Sequence, residues 1–160
     1  MAVSSDTIFS LEFVRRRVRE LSQTIGAPEG HVVIGESQGD GTPNIEILGG
    51  YEFVIGVNGT PVSRPAEKSF AFVVNERGTE LERRITTDLN ELLYWIFDVI
   101  TSSMASEFEL HHRIEGKDSR RVWFAKQEEL LALLNPEWRD RKRGYHIEIL
   151  KEHPFMDRHS

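Results

Sequence analysis

The stretch Ile45-Glu46-Ile47-Leu48-Gly49-Gly50-Tyr51-Glu52-Phe53 decides how the chain folds. On both sides of the glycine pair, polar and apolar residues alternate with the period of two that sends successive side chains to opposite faces of a strand. This alternation turns Glu46 and Glu52 away from the face carrying Ile45, Ile47, Phe53 and Ile55, so both carboxylates should be exposed. Working outward, β-rich runs broken by Gly, Pro and Asn occupy residues 31–36, 44–48, 51–57, 69–74 and 79–86. Five strands joined by short connections, with no helix-length crossover between them, predict a mainly antiparallel sheet. Val73-Val74-Asn75-Glu76-Arg77-Gly78-Thr79 reads as a hairpin, Gly78 being free to take a positive φ.

Helices flank this sheet. Leu11, Val14, Val18, Leu21 and Ile25 recur at helical spacing and predict a helix over residues 8–25, stopped by Gly26 and Pro28. Its Arg15, Arg16, Arg17 and Arg19 fall on the other faces and read as a solvated surface. After the strands, Asp88 and Glu91 resemble a capping box opening a long helix to His111 or His112, with a stripe of Leu89, Leu93, Ile96, Ile100, Met104 and Phe108. A second helix covers residues 119–134. A third begins at Asn135-Pro136-Glu137, a cap, a first-turn proline and an acid at the positive dipole end. Trp138, Tyr145 and Ile149 should form its buried face, and Pro154 should end it. The expected architecture is α+β: an N-terminal helix, a five-stranded mainly antiparallel sheet, and three C-terminal helices packed on it.

At 160 residues and 39% hydrophobic content the chain suits one domain spanning residues 1–160. It has no cysteine, so disulfides, thiolate catalysis and zinc-thiolate sites are excluded. The start, Met-Ala-Val-Ser-Ser-Asp, lacks the basic and apolar regions of a secretion signal. The longest apolar run, Leu92-Leu93-Tyr94-Trp95-Ile96-Phe97, is far short of the about 20 residues of a membrane span. A cytoplasmic location follows as the expectation.

Net charge is −6, which argues against nucleic acid as the partner. The distribution is more informative. Between Glu20 and Ser63 there is no Lys or Arg, yet Glu20, Glu29, Glu36, Asp40, Glu46 and Glu52 all fall there. Glu36 and Asp40 flank a loop over residues 37–44 that should be flexible enough to adapt to a partner. Glu36, Asp40, Glu46 and Glu52 are therefore the candidate partner-binding residues, suited to a basic protein.

Catalytic patterns are weaker. Gly35-Glu36-Ser37-Gln38-Gly39 follows an apolar run and matches the G-x-S-x-G of a nucleophile elbow, which would make Ser37 a hydrolase nucleophile. That elbow must lead into a helix, whereas Asp40-Gly41-Thr42-Pro43-Asn44 breaks helices. Adjacent His111 and His112 point about 100° apart and cannot chelate from one helix face; Glu107 and His111 are correctly spaced but supply only two ligands. His31, His146, His153 and His159 form no ligand spacing, and no nucleotide-binding loop is present. No catalytic, metal or cofactor residue is assigned. A small-ligand-binding α+β domain and a small Ser37 hydrolase remain the alternatives to a protein binder. Arg113, Asp118, Arg120 and Arg121 crowd the turn between two helices and read as a structural charge cluster. Asp118 caps the second helix there, and Arg113 or Arg121 holds its carboxylate.

Asn75-Glu76-Arg77-Gly78, Glu91-Leu92-Leu93-Tyr94-Trp95, Ser103-Met104-Ala105-Ser106, His112-Arg113 and Asp118-Ser119-Arg120-Arg121-Val122-Trp123-Phe124 come in that order. With Gln127, Leu130 and Pro136-Glu137-Trp138, they resemble the immunity protein sixty-three family of bacterial polymorphic-toxin systems, over roughly residues 70–155. The resemblance implies a small cytosolic protein that protects its producer by neutralising a cognate toxin. Many such toxins attack nucleic acid and are therefore basic, which agrees with the charge map. No catalytic residues carry over, and the first 69 residues match no pattern of the family.

Overall fold

Residues 44–76 form one long hairpin in the computed structural model, which describes residues 5–158. His159 and the first four residues of the leader reading lie outside the described residues. Strands β1 (Val33–Ile34), β2 (Asn44–Ile55), β3 (Pro61–Glu76) and β4 (Thr79–Thr86) make a single sheet in the order β1-β2-β3-β4. The class is α+β, as expected. The strand count is four rather than five, because the glycine pair does not separate two strands. β2 runs straight through it, and a bulge takes up the irregularity between the pairs Leu48–Ser69 and Gly50–Ala66. Gly49 has φ +82, and a Cβ there would lie 2.0 Å from the Glu67 carbonyl oxygen, so only glycine fits.

The sheet is mixed, not wholly antiparallel. β1 pairs parallel with β2, Val33 opposite Asn44 and Ile34 opposite Ile45. Parallel pairing usually needs a long crossover. Here the paired segment is only two residues long, and Gly35, Gly39 and Gly41, all at positive φ, turn the chain back within the intervening loop. The β3–β4 turn is a hairpin, as predicted, with a loop of two residues, Arg77 at φ 49 and Gly78 at φ 80, between the closing pair Glu76 and Thr79.

A single helical turn, α1 (Ser5–Ile8), and four longer helices complete the elements: α2 (Leu11–Ile25), α3 (Leu89–His111), α4 (Arg120–Leu134) and α5 (Pro136–Glu152). No helix among the described residues is long and apolar enough to cross a membrane. The chain divides into two compact units, residues 5–18 with 32–93 and residues 19–31 with 94–158.

In the first unit the sheet is buried where β3 is central. Phe70, Ala71, Phe72 and Val73 are all buried, as are Asn44 and Ile45 beside them, and Phe9 stacks on Phe70 at 4.7 Å. In the second unit Trp138 of α5 packs between Tyr94 and Phe97 of α3, with ring centroids 6.2 and 6.1 Å away. The α5 cap is as predicted: the Asn135 side chain accepts the Glu137 amide at 2.9 Å, with Pro136 in the first turn. The buried face of α5 differs from the expected one. Tyr145 is exposed, and Lys142 and His146 are buried beside Trp138. Polar residues hold these core positions because partners within the unit satisfy them. Lys142 Nζ lies 2.6 Å from Asp98, and His146 Nδ1 lies 2.9 Å from Glu128 while its ring stacks on Phe124.

Candidate functional site

The acidic residues of the first unit do not form the uncompensated patch that the linear charge map describes. Glu46, half-buried on β2, lies 3.4 Å from Arg83 of β4, which also forks onto Glu80 at 2.9 Å. Glu52 pairs with Arg64, its directly opposite neighbour on β3. Both cations come from strands beyond the Lys- and Arg-free stretch, and antiparallel pairing brings them back to it.

Glu36 and Asp40 remain exposed. Asp40 Oδ1 accepts the Thr42 amide at 2.9 Å, and that bond holds its carboxyl below the usual range. The loop expected to be flexible is instead tied to the β3–β4 turn. Gly41 donates to the Asn75 carbonyl and Arg77 to that of Gly39, both at 2.9 Å, around an Asp40–Glu76 bridge. Positive φ at Gly39 and Gly41 allows the chain to fold onto the hairpin. Asp40 is thus presented on fixed backbone. Ser37 sits in this loop with no helix after it, its Oγ accepting the Gly39 amide at 3.1 Å, so the strand-turn-helix of a nucleophile elbow is not formed.

Beyond the Gly49 bulge, residues 50–55 and 61–66 pair with each other and, among the described residues, with no other strand. The register places Tyr51 opposite Pro65, Phe53 opposite Ser63 and Ile55 opposite Pro61 on one face of this ribbon. The other face carries Glu52 opposite Arg64 and Val54 opposite Val62. Tyr51, Phe53 and Ile55 are 74%, 81% and 73% exposed. The alternation that suggested a half-buried strand is real, but the apolar side is uncovered. Pro61 and Pro65, which cannot donate a ladder hydrogen bond, were the sequence signal for a free edge.

In the second unit the charge cluster forms, with different pairing. Asp118 is held by Arg120, at 2.7 and 3.1 Å, and not by Arg113 or Arg121. Arg113 turns back one helical turn onto Glu109 at 2.9 Å, and Arg121 forks onto Asp157 at 2.9 and 3.0 Å. The neighbour wins because Asp118 Oδ1 also accepts the Arg120 amide, at 2.9 Å, fixing the two side chains on the same side. Asp118 Oδ2 accepts the Met156 amide and Asp157 accepts that of Asp118, both at 2.9 Å. Arg120 and the Met156 amide drive the Asp118 carboxyl far below its ordinary pKa, and Arg121 and the Asp118 amide do the same to Asp157. The cluster therefore locks the C-terminal strap, residues 153–158, onto the α3–α4 turn. Asp157 was missed because nothing in the sequence marks a residue so distant as its partner.

The same unit holds a cleft of about 800 Å³ lined by Ser102 and Ser106 of α3, Trp123 and Gln127 of α4, and Lys142 and His146 of α5. Several of its polar groups are paired, Gln127 donating to Asp98 and Thr101, Lys142 pairing with Asp98 and His146 with Glu128, whereas the buried Trp123 Nε1 has no hydrogen-bond partner among the described residues. His112 Nδ1 donates to the Phe108 carbonyl at 2.8 Å, as a helix-end histidine should. Among the described residues, no three His, Asp or Glu side chains converge as a metal ion would need.

A protein-family model described as Immunity protein 63 matches residues 67–148 of the chain. No curated protein and no solved structure matches it. The matched segment takes in part of β3, all of β4, α3 and α4, and most of α5; Glu36, Asp40, Glu46, Glu52 and the whole ribbon precede it.

Proposed function

The chain belongs to the immunity protein 63 family, and on that premise we propose that it works in the bacterial cytoplasm, where it binds and neutralises a cognate toxin of a polymorphic-toxin system. The observation that carries this reading is the family match over residues 67–148, together with the sequence order that resembles the same family. Neutralisation here is protein binding, without catalysis by this chain. Its partner is a basic toxin domain, drawn by Glu36 and Asp40, with Glu46 and Glu52 contributing less because each already has an arginine. These four carboxylates precede the segment that the family model matches, a placement that suits partner-specific contacts. Co-expression with the toxin encoded beside its gene tests the reading. Survival that depends on this chain, with a stable complex on purification, is expected; unprotected cells and no complex would refute it. The Ser37 hydrolase alternative predicts stoichiometric fluorophosphonate labelling that Ser37→Ala abolishes, and no labelling is expected.

A further inference from the structure

The ribbon beyond the Gly49 bulge is an unusual thing for a cytoplasmic protein to leave uncovered. Long, flat, apolar edges are aggregation sites, and natural sheets blunt them with prolines, charges or short strands. The two edges of this ribbon are treated differently. On the β3 side, residues 61–66 carry Pro61, Pro65 and Arg64. On the β2 side, residues 50–55 carry no proline and no cation, and β1 covers β2 only at Asn44 and Ile45. One edge is blunted and the other is left open to pairing.

We infer that residues 50–55 of β2 are the strand onto which the toxin docks, by adding an extended segment of its own to this edge. The inference rests on the reading of the chain as an immunity protein and identifies the surface used. Strand addition takes affinity from backbone hydrogen bonds and selectivity from alternating side chains. An added strand would lay every second side chain beside Tyr51, Phe53 and Ile55, a face with no charge on either strand. The intervening side chains would lie beside Glu52 and Val54. The segment that fits therefore carries apolar residues at alternate positions, beside Tyr51, Phe53 and Ile55, and polar ones beside the Glu52–Arg64 pair.

Area selects this occupant over a second copy of the chain. Six residues of a two-stranded ribbon present a face of about 20 by 10 Å, on the order of 200 Å². A stable interface needs roughly 800 Å² per partner. The ribbon cannot hold a dimer alone, whereas a toxin that also contacts the acidic loop of the same unit can extend the interface.

The test uses the full chain and a catalytically inactivated form of the toxin encoded beside its gene. Amide exchange of Tyr51, Phe53 and Ile55, whose N–H groups face the open edge, should slow by at least about tenfold in the complex, as newly bonded edge amides do. The double variant Tyr51→Asp/Phe53→Asp should weaken binding by about 100-fold, the loss of two central apolar anchors. Leu81→Asp, at an exposed apolar residue of β4, is the control and should stay within about threefold. Because Tyr51 and Phe53 are exposed, both variants should melt like the wild type. Wild-type binding with these three amides unprotected, or with a double variant no weaker than the control, overturns the ribbon and leaves the immunity reading standing. Failure of the wild type to bind overturns both.

Discussion

Arg83 on β4 reaches past β3 to Glu46 on β2, its Nη1 3.4 Å from Oε2, although 37 residues separate them in the chain. Ala71 is directly opposite Glu46 and Val73 directly opposite Arg83, so the contact runs diagonally across the central strand. This contact and the Glu52–Arg64 pair change what the acidic stretch can present to a partner. Glu36 and Asp40 carry most of the unshielded charge.

Glu36→Lys should slow association with a basic toxin by about three- to tenfold at low ionic strength, and the difference should shrink as salt is raised. Glu46→Gln should change the rate by less than about twofold, since Arg83 already masks that charge. Stopped-flow association rates across a salt series check both. An equal effect of the two variants would mean that the arginine does not shield Glu46.

Asp118→Ala should lower stability by about 2 kcal/mol, because two backbone amides and Arg120 lose one acceptor together. The folded pKa values of Asp118 and Asp157 are depressed, so their contribution is complete above the unfolded aspartate pKa of about 3.9 and fades as the pH falls below it. Thermal melts from pH 6 down to pH 2 should therefore show a steep loss below about pH 4 that is shallower in Asp118→Ala. Parallel curves for the two proteins would remove the strap from the acid response.

His146 titrates in the opposite half of the pH range. Burial lowers its pKa from the usual 6.5, against the raising influence of Glu128 and Asp98; Lys142 adds to the lowering. A histidine with a depressed folded pKa stabilises the fold above its unfolded pKa and loses that contribution as pH falls. Melting temperature should begin to drop below about pH 6.5, and His146→Asn should flatten this part of the curve. A histidine-independent slope between pH 7 and pH 5 would assign the loss to other groups.

Gly49→Ala should cost at least about 2 kcal/mol, combining left-handed backbone strain with a Cβ forced against the Glu67 carbonyl. Gly59→Ala, at φ +74 in the open ribbon turn with nothing within 4 Å, should cost only the strain, about 1 kcal/mol. Chemical denaturation of both variants separates the two contributions. Equal losses would show that the bulge relaxes around an added methyl group.

Much of the fold was legible from local rules. Alternation located β2, the Arg77-Gly78 turn set the β3–β4 hairpin, and periodicity with Asn135-Pro136 placed the helices, because each of these signals acts between near neighbours. Local rules failed where two segments distant in sequence had to meet. Residues 51–57 read as a half-buried strand because alternation reports two faces but cannot say that one of them is uncovered. Residues 20–63 read as a bare acidic surface because counting along the chain cannot see Arg64 and Arg83 brought in by cross-strand register. Asp118 could be named as a cap, yet Asp157 and the Met156 amide reach it only when the chain end folds back. Backbone periodicity and turn chemistry are short-range, so the sequence by itself determined the elements and their order. Hydrogen-bond register and charge pairing act across the fold, so only the tertiary structure decided which carboxylates stay unshielded and which strand edge stays open.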